Sequence, residues 1–266
     1  MNKMNLKLGV LLAFVLSAFA VAGCGGTKVL KEPQALQTTQ SLATASEREV
    51  VATLDWVIVR DGPGTWARNA DWDEYLLRVN NQSDQPITVT RLVVVDSLDT
   101  RIESQPGRKE LIKNSKKTAR RYKASGIKVR AGRGAGTMLV AGAAVTVIGV
   151  GAASAAATGA IMSGAATAGG AGAAAGGLLL LGPALAVGGI VRGVNNSKVN
   201  NQIELRQTLL PAEIPASEEA QLDVFFPLAP SPKMIELYYF DAAGEHRLVI
   251  DTRTALDGLH IDGETE

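Results

Sequence analysis

Between Arg133 and Arg192 the chain runs without a single charged residue, and most of what lies there is Ala and Gly. This tract constrains the fold more than any other feature. Each Gly in a helix interior costs about 1 kcal/mol relative to Ala, so an isolated aqueous helix of this composition is poor. A solvated loop is equally awkward, because Val145 to Val150 and Leu178 to Leu181 would be exposed apolar patches. Two stretches, roughly 138–160 and 173–191, approach the ~20 residues that cross hydrocarbon as a helix, with Pro183 kinking the second. The expectation is an α-helical hairpin over 134–192 with both ends on one side, either inserted in lipid or packed on the rest of the protein.

Small residues recur at every fourth position of the tract: Ala152, Ala156, Ala160, Gly164, Ala168, Gly172 and Gly176, beside a second row of Gly151, Ala155, Gly159, Ser163 and Thr167. On a helix such rows make a smooth ridge on which another backbone packs closely. The expected helix-packing residues are therefore Gly151, Gly159, Gly164, Gly172 and Gly176, and a homo-oligomer through them is one expected partner. The pattern resembles the glycine-zipper hairpins of bacterial surface lipoproteins and antigens.

The N-terminus has Lys3 and Lys7 ahead of an apolar run from Gly9 to Val21, too short to span a bilayer comfortably, and then Ala22-Gly23-Cys24. Cys24 is the only cysteine, so no intramolecular disulfide is available and the exported part rests on a hydrophobic core. The four residues Val21-Ala22-Gly23-Cys24 resemble the lipobox of bacterial lipoproteins. That resemblance implies a signal peptide over 1–23, cleavage before Cys24, acylation of its thiol with palmitate-type chains, and anchorage to membrane lipid. Gly25, where enteric lipoproteins retained at the inner membrane carry Asp, points to the outer membrane. A cluster of cations flanking the tract agrees, since a hairpin entering the inner membrane from outside would oppose the positive-inside tendency.

Residues 24–48, rich in Gly, Thr, Gln, Ser and Ala, read as a flexible tether. From there the pattern is that of strands. Val51 to Val59, Glu74 to Val79 and Pro86 to Val95 precede the tract; Ile203 to Leu210, Gln221 to Phe226, Met234 to Phe240 and His246 to Ile250 follow it. Asp61-Gly62-Pro63-Gly64 and the polar run from Asn80 to Gln85 mark turns. Seven short strands predict a mainly β fold, an immunoglobulin-like β-sandwich with halves at 49–104 and 193–255, interrupted by the Gly/Ala-rich helical hairpin; a closed barrel is the structural competitor. Val79 to Val89 resembles the first hairpin of exported immunoglobulin-like modules.

The segment 105–133 is basic, with eleven Lys and Arg from Arg108 to Arg133 against the single acid Glu110. It reads either as a solvated linker or as a surface for anionic head groups. Residues 256–266 read as an acidic tail.

Catalytic patterns are sparse. His246 and His260 have no metal-ligand spacing and read as surface residues, and Asp71, Asp73 and Glu74 read as a solvated turn. No catalytic residue, cofactor or metal is expected, and the formal net charge of +1 gives no global field toward nucleic acid. Two functions follow. The first is a non-catalytic, lipid-anchored envelope protein with a structural or partner-binding role toward another envelope protein. The alternative is a membrane-active protein whose hairpins oligomerise into a pore or secretion-related element.

Overall fold

The computed structural model describes residues 27–33, 36, 40–136, 138, 147–149 and 196–262. Its elements are β1 (Lys28–Val29), β2 (Ala43–Glu47), β3 (Val50–Ile58), β4 (Ala67–Arg68), β5 (Trp72–Asn81), β6 (Ile87–Val95), β7 (Arg101–Glu103), α1 (Arg108–Ala124), β8 (Val147–Gly149), α2 (Asn196–Arg206), β9 (Ala212–Ile214), β10 (Glu219–Pro227), β11 (Met234–Asp241) and β12 (Gly244–Asp251). The protein is mainly β. One sheet has the order β10-β5-β3-β2-β8, antiparallel except for the parallel β2–β8 pair. The other runs β12-β11-β6, with β9 and β7 on the remaining edge of β6 against Ile87–Val89 and Val93–Val95.

Strand alternation builds one core between the sheets. Opposed residues of antiparallel strands share a face, so the pairs Leu222↔Leu77, Val224↔Tyr75 and Leu54↔Leu77 line the inside of the first sheet. Ile235↔Val94 and Leu237↔Leu92 line the second. All of these are buried in one continuous cluster. Tyr75 and Phe226 meet edge to face at 5.0 Å between ring centres, a favoured aromatic geometry.

The alternate residues of the first sheet are apolar too. Trp56, Ile58, Trp72, Leu76 and Phe225 lie on its outer face, and all are buried. A face of that composition needs a cover, and the two ends of the insertion supply it. Helix α1 turns Leu111, Ser115, Thr118 and Tyr122 inward at helical spacing. Helix α2 does the same with Val199 and Ile203. Arg108 Nε donates to Asn200 Oδ1 at 3.0 Å, joining the helices side by side. The second sheet has a polar outer face, where Glu236 collects Arg101, Arg247 at 3.5 Å and the Tyr238 hydroxyl at 3.1 Å.

The basic segment is thus an ordered helix rather than a linker. Glu110 stands in its first turn and Arg121 and Lys123 in its last, matching the helix dipole. Its end is a Schellman motif: Gly126, at φ +76°, donates to Lys123 O at 3.1 Å, and Ile127 N–H donates to Tyr122 O at 2.9 Å.

Other expectations are corrected. The end of the expected tether is sheet, because Ala43 and Ala45 alternate with Thr44 and Ser46 and bury their small side chains beside β3. The strand expected at Ile203 to Leu210 is instead the end of α2 and the loop after it. Its strand-like alternation comes from Ile203 facing in and Leu205 facing out of the helix, with Leu209 exposed in the loop beyond it. Residues 256–262 of the expected acidic tail are packed: Leu256, Leu259 and His260 are buried, and Ile261 bridges Val129. Inside the expected hairpin, Val147–Gly149 forms a short strand along β2; residues 139–146 and 150–192, with the helices expected there, lie outside the described residues.

Candidate functional site

Two buried polar clusters hold the covering layer onto the first sheet. Strand β5 places Glu74 on the outer face, fully buried beneath α2. Trp66, from the loop after β3, donates its indole N–H to Glu74 Oε2 at 2.6 Å, and Arg206, at the end of α2, donates to Oε1 at 3.3 Å. The Arg206 guanidinium also lies over the Trp66 ring, 5.0 Å from its centre. Burial raises the Glu74 carboxyl above its ordinary range, with Arg206 and Trp66 working against that rise. Asp223 of β10 shares this face and is pushed up to about 7 by burial and by the charge of Glu74, opposed by Arg206. One arginine thus serves two desolvated carboxyls. Beside them is a hollow of about 10 Å³, room for one water, lined by residues that include Thr65, Trp66, Ala70, Trp72 and Glu74.

The second cluster closes the root of the insertion. His260, completely buried, has Nε2 2.8 Å from Asp73 Oδ2, and Gly132 N–H donates to its Nδ1 at 3.1 Å. Since Nδ1 accepts, Nε2 carries the hydrogen and donates to the Asp73 carboxylate. Both ring nitrogens are engaged, so neither is free to take a proton from a nucleophile. Asp73 Oδ1 has no hydrogen-bond partner among the described residues. Backbone bonds extend the clasp: Arg130 N–H to His260 O at 2.9 Å, His260 N–H to Arg133 O at 2.7 Å, and Asp262 N–H to Lys128 O at 2.9 Å. Gly132, at φ +78°, passes so close to Arg60 that a Cβ there would sit 2.0 Å from the Arg60 carbonyl oxygen.

The far end of α1 is bound in the same manner. The Tyr122 hydroxyl lies 2.8 Å from Ser97 Oγ and 3.2 Å from Pro230 O, and Arg121 pairs with the buried Asp96. Ser115 Oγ donates to Asp71 O at 2.5 Å and accepts from Leu228 N–H at 3.0 Å.

These contacts correct three sequence expectations. His260 is a core residue, not a surface one. His246 is half-buried, bonded to Asp241 at 2.8 Å. Asp73 and Glu74 belong to a buried strand rather than a solvated turn, because each meets a donor delivered by a segment remote in sequence. The residues that pin the layer, Trp66, Glu74, Arg206 and His260, carry no spacing signal that would have joined them. The other singled-out residues, Cys24, Gly151, Gly159, Gly164, Gly172 and Gly176, lie outside the described residues. Among the described residues no cluster of His, Cys, Asp and Glu could hold a metal, and no helix is long and apolar enough to cross a membrane.

Comparison with family models, with curated proteins and with solved structures finds no match to this chain.

Proposed function

We propose that the protein is a lipid-anchored component of the cell envelope, at the outer membrane, with a structural or partner-binding role and no catalytic one. The observation that carries this reading is the apolar leader ending in Val21-Ala22-Gly23-Cys24, with Cys24 as the only thiol. Acylation there would hold the β domain close to the bilayer, since Thr27 is already buried against the fold and its hydroxyl donates to Asn69 O at 3.4 Å. The Gly/Ala tract supplies a second membrane or self-association element through Gly151, Gly159, Gly164, Gly172 and Gly176.

The domain itself we read as immunoglobulin-like. Strands β3, β5 and β10 take the places of A, B and E, and β6, β11 and β12 those of C, F and G. The passages β5 to β6 and β10 to β11 each change sheet, as in that Greek key. Such domains present edges and loops to partners, and the polar outer face around Glu236, Arg101 and Tyr238 is the one that the helices leave open.

Metabolic labelling with a fatty acid, followed by membrane fractionation, tests the proposal. Wild type is expected to take up label and sediment with membranes, while Cys24→Ala takes up none. Equal labelling of the two would refute it.

A further inference from the structure

Helix α1 separates its residues sharply. Its buried face is Leu111, Ser115, Thr118 and Tyr122, while Lys109, Lys113, Lys116, Lys117, Arg120 and Lys123 are all exposed on the opposite side. From Lys109 to Lys123 this stripe extends about 21 Å along the axis. Arg121, Lys128 and Arg133 have carboxylate partners, whereas none of the six stripe residues forms an ion pair among the described residues. Glu110 and Glu204 are the acids on the two helices.

Beside this stripe, α2 and the loop after it turn two leucines to solvent. Leu205 is 71% exposed and Leu209, in the loop after it, 67%, the most exposed large apolar side chains among the described residues. Strand β1 lies against α2 and pairs with β4. Its neighbour Thr27 stands three positions after Cys24, a reach of at most about 11 Å. Arrival from the N-terminus and return from the insertion therefore both occur at the α2 side of the molecule.

We propose that the outward side of the α1–α2 layer is the surface that lies on the bilayer, with the basic stripe on anionic lipid head groups and Leu205 and Leu209 in the interface. The inference rests on the membrane reading above and deepens it by fixing the orientation. Cations near an anionic surface and apolar side chains entering it are the two parts of interfacial binding. An acidic protein partner would match the stripe but would leave the leucines unexplained. In this orientation the polar sheet around Glu236 faces away from the membrane, open to a partner.

The test uses the full chain carrying Cys24→Ala, which is free of both acyl groups and cysteine, so its outcome is independent of the labelling experiment. Binding is measured to vesicles of phosphatidylglycerol with phosphatidylcholine, and to phosphatidylcholine alone. Replacing Lys113, Lys116, Lys117 and Arg120 together by Gln is expected to weaken binding to the anionic vesicles about 600-fold, from roughly fivefold per residue, and to leave binding to neutral vesicles unchanged. In the same background an environment-sensitive dye on Leu205→Cys is expected to shift to the blue with anionic vesicles, and the same dye on Val249→Cys, on the opposite sheet, to stay constant. Equal affinity of the quadruple variant and its parent would overturn the proposal. So would equal shifts at the two dye positions, or a shift at 205 that follows protein concentration without vesicles, which would make the surface a contact between copies.

Discussion

Replacing His260 by Ala removes the centre of the clasp that fastens residues 128–134 to β5. Two hydrogen bonds go, one to the buried Asp73 carboxylate and one from Gly132 N–H. The first, to a charged group, is worth about 1.5–3 kcal/mol and the second about 1 kcal/mol. Asp73 Oδ1 already has no partner among the described residues, so the substitution leaves the whole carboxylate unpaired in a site from which solvent is excluded. Breaking a buried polar pair on one side in this way costs about 3–5 kcal/mol, a large share of the 5–15 kcal/mol that holds a domain folded. Asp73→Asn is the matched control: its amide oxygen still accepts from His260 Nε2, and the expected loss is about 1 kcal/mol. Urea unfolding followed by tryptophan fluorescence reads both, with the His260→Ala midpoint expected about 1–2 M below wild type for an urea slope of about 2–3 kcal/mol/M. A His260→Ala midpoint within error of wild type, or an Asp73→Asn loss as large as that of His260→Ala, would refute the argument.

Three other outcomes are expected. Because burial raises Asp223 from 3.8 to about 7 in the folded protein, the folded state holds a proton that the unfolded chain has released; this contribution is complete below about pH 4 and is lost as pH rises through 7. Asp223→Asn should therefore gain on the order of 2–3 kcal/mol relative to wild type at pH 8 and little at pH 4, read from thermal melts at the two values; equal differences at both would contradict it. Gly132→Ala should lower stability by several kcal/mol, since the Cβ meets the Arg60 carbonyl at 2.0 Å and the backbone is left-handed, whereas Gly126→Ala, with open space around it, should cost about 1 kcal/mol; circular dichroism melts compare them. A linker of Gly and Ser replacing residues 139–195 should leave a cooperatively unfolding protein, but one replacing 106–198 should not, because it strips Leu111 and Tyr122 of α1 from the core, removes the first residues of α2 and takes away the 128–134 segment that His260 holds; solubility and melting of both deletions decide.

The strands were legible where alternation is driven by burial on one face or both. Val50–Ile58, Ile87–Val95 and Met234–Asp241 lie within a residue or so of their expected limits, because β-branched and aromatic runs bounded by turn residues leave little choice. Strand β2 was hidden because Ala and Thr pack in a sheet without looking hydrophobic. Helix α2 resembles a strand in sequence because Ile203 on its inner face and Leu205 on its outer face, followed by Leu209 in the loop, give a local period of two. The charge run of α1 hid a helix whose inward side is Leu111, Ser115, Thr118 and Tyr122, where three of the four buried positions carry hydroxyls and those of Ser115 and Tyr122 bond to backbone carbonyls.

The polar clusters were illegible for another reason. Glu74 meets Arg206 across 132 positions, and Asp73 meets His260 across 187. Nothing local distinguishes such a carboxylate from a solvated one; only the fold that brings the donor to it does. Asn81 is similar. Read as part of a polar turn, it is buried and donates to Gln85 O at 2.8 Å and Pro215 O at 2.9 Å, tying the β5–β6 connection to the loop between β9 and β10.

The account depends most on Cys24. Intact mass of the protein extracted from membranes, with fragmentation of its N-terminal peptide, reads the point directly. The expected product is a chain that begins at Cys24 and carries a diacylglyceryl group on the thiol. A chain that keeps residues 1–23, or that begins elsewhere with an unmodified Cys24, would contradict it.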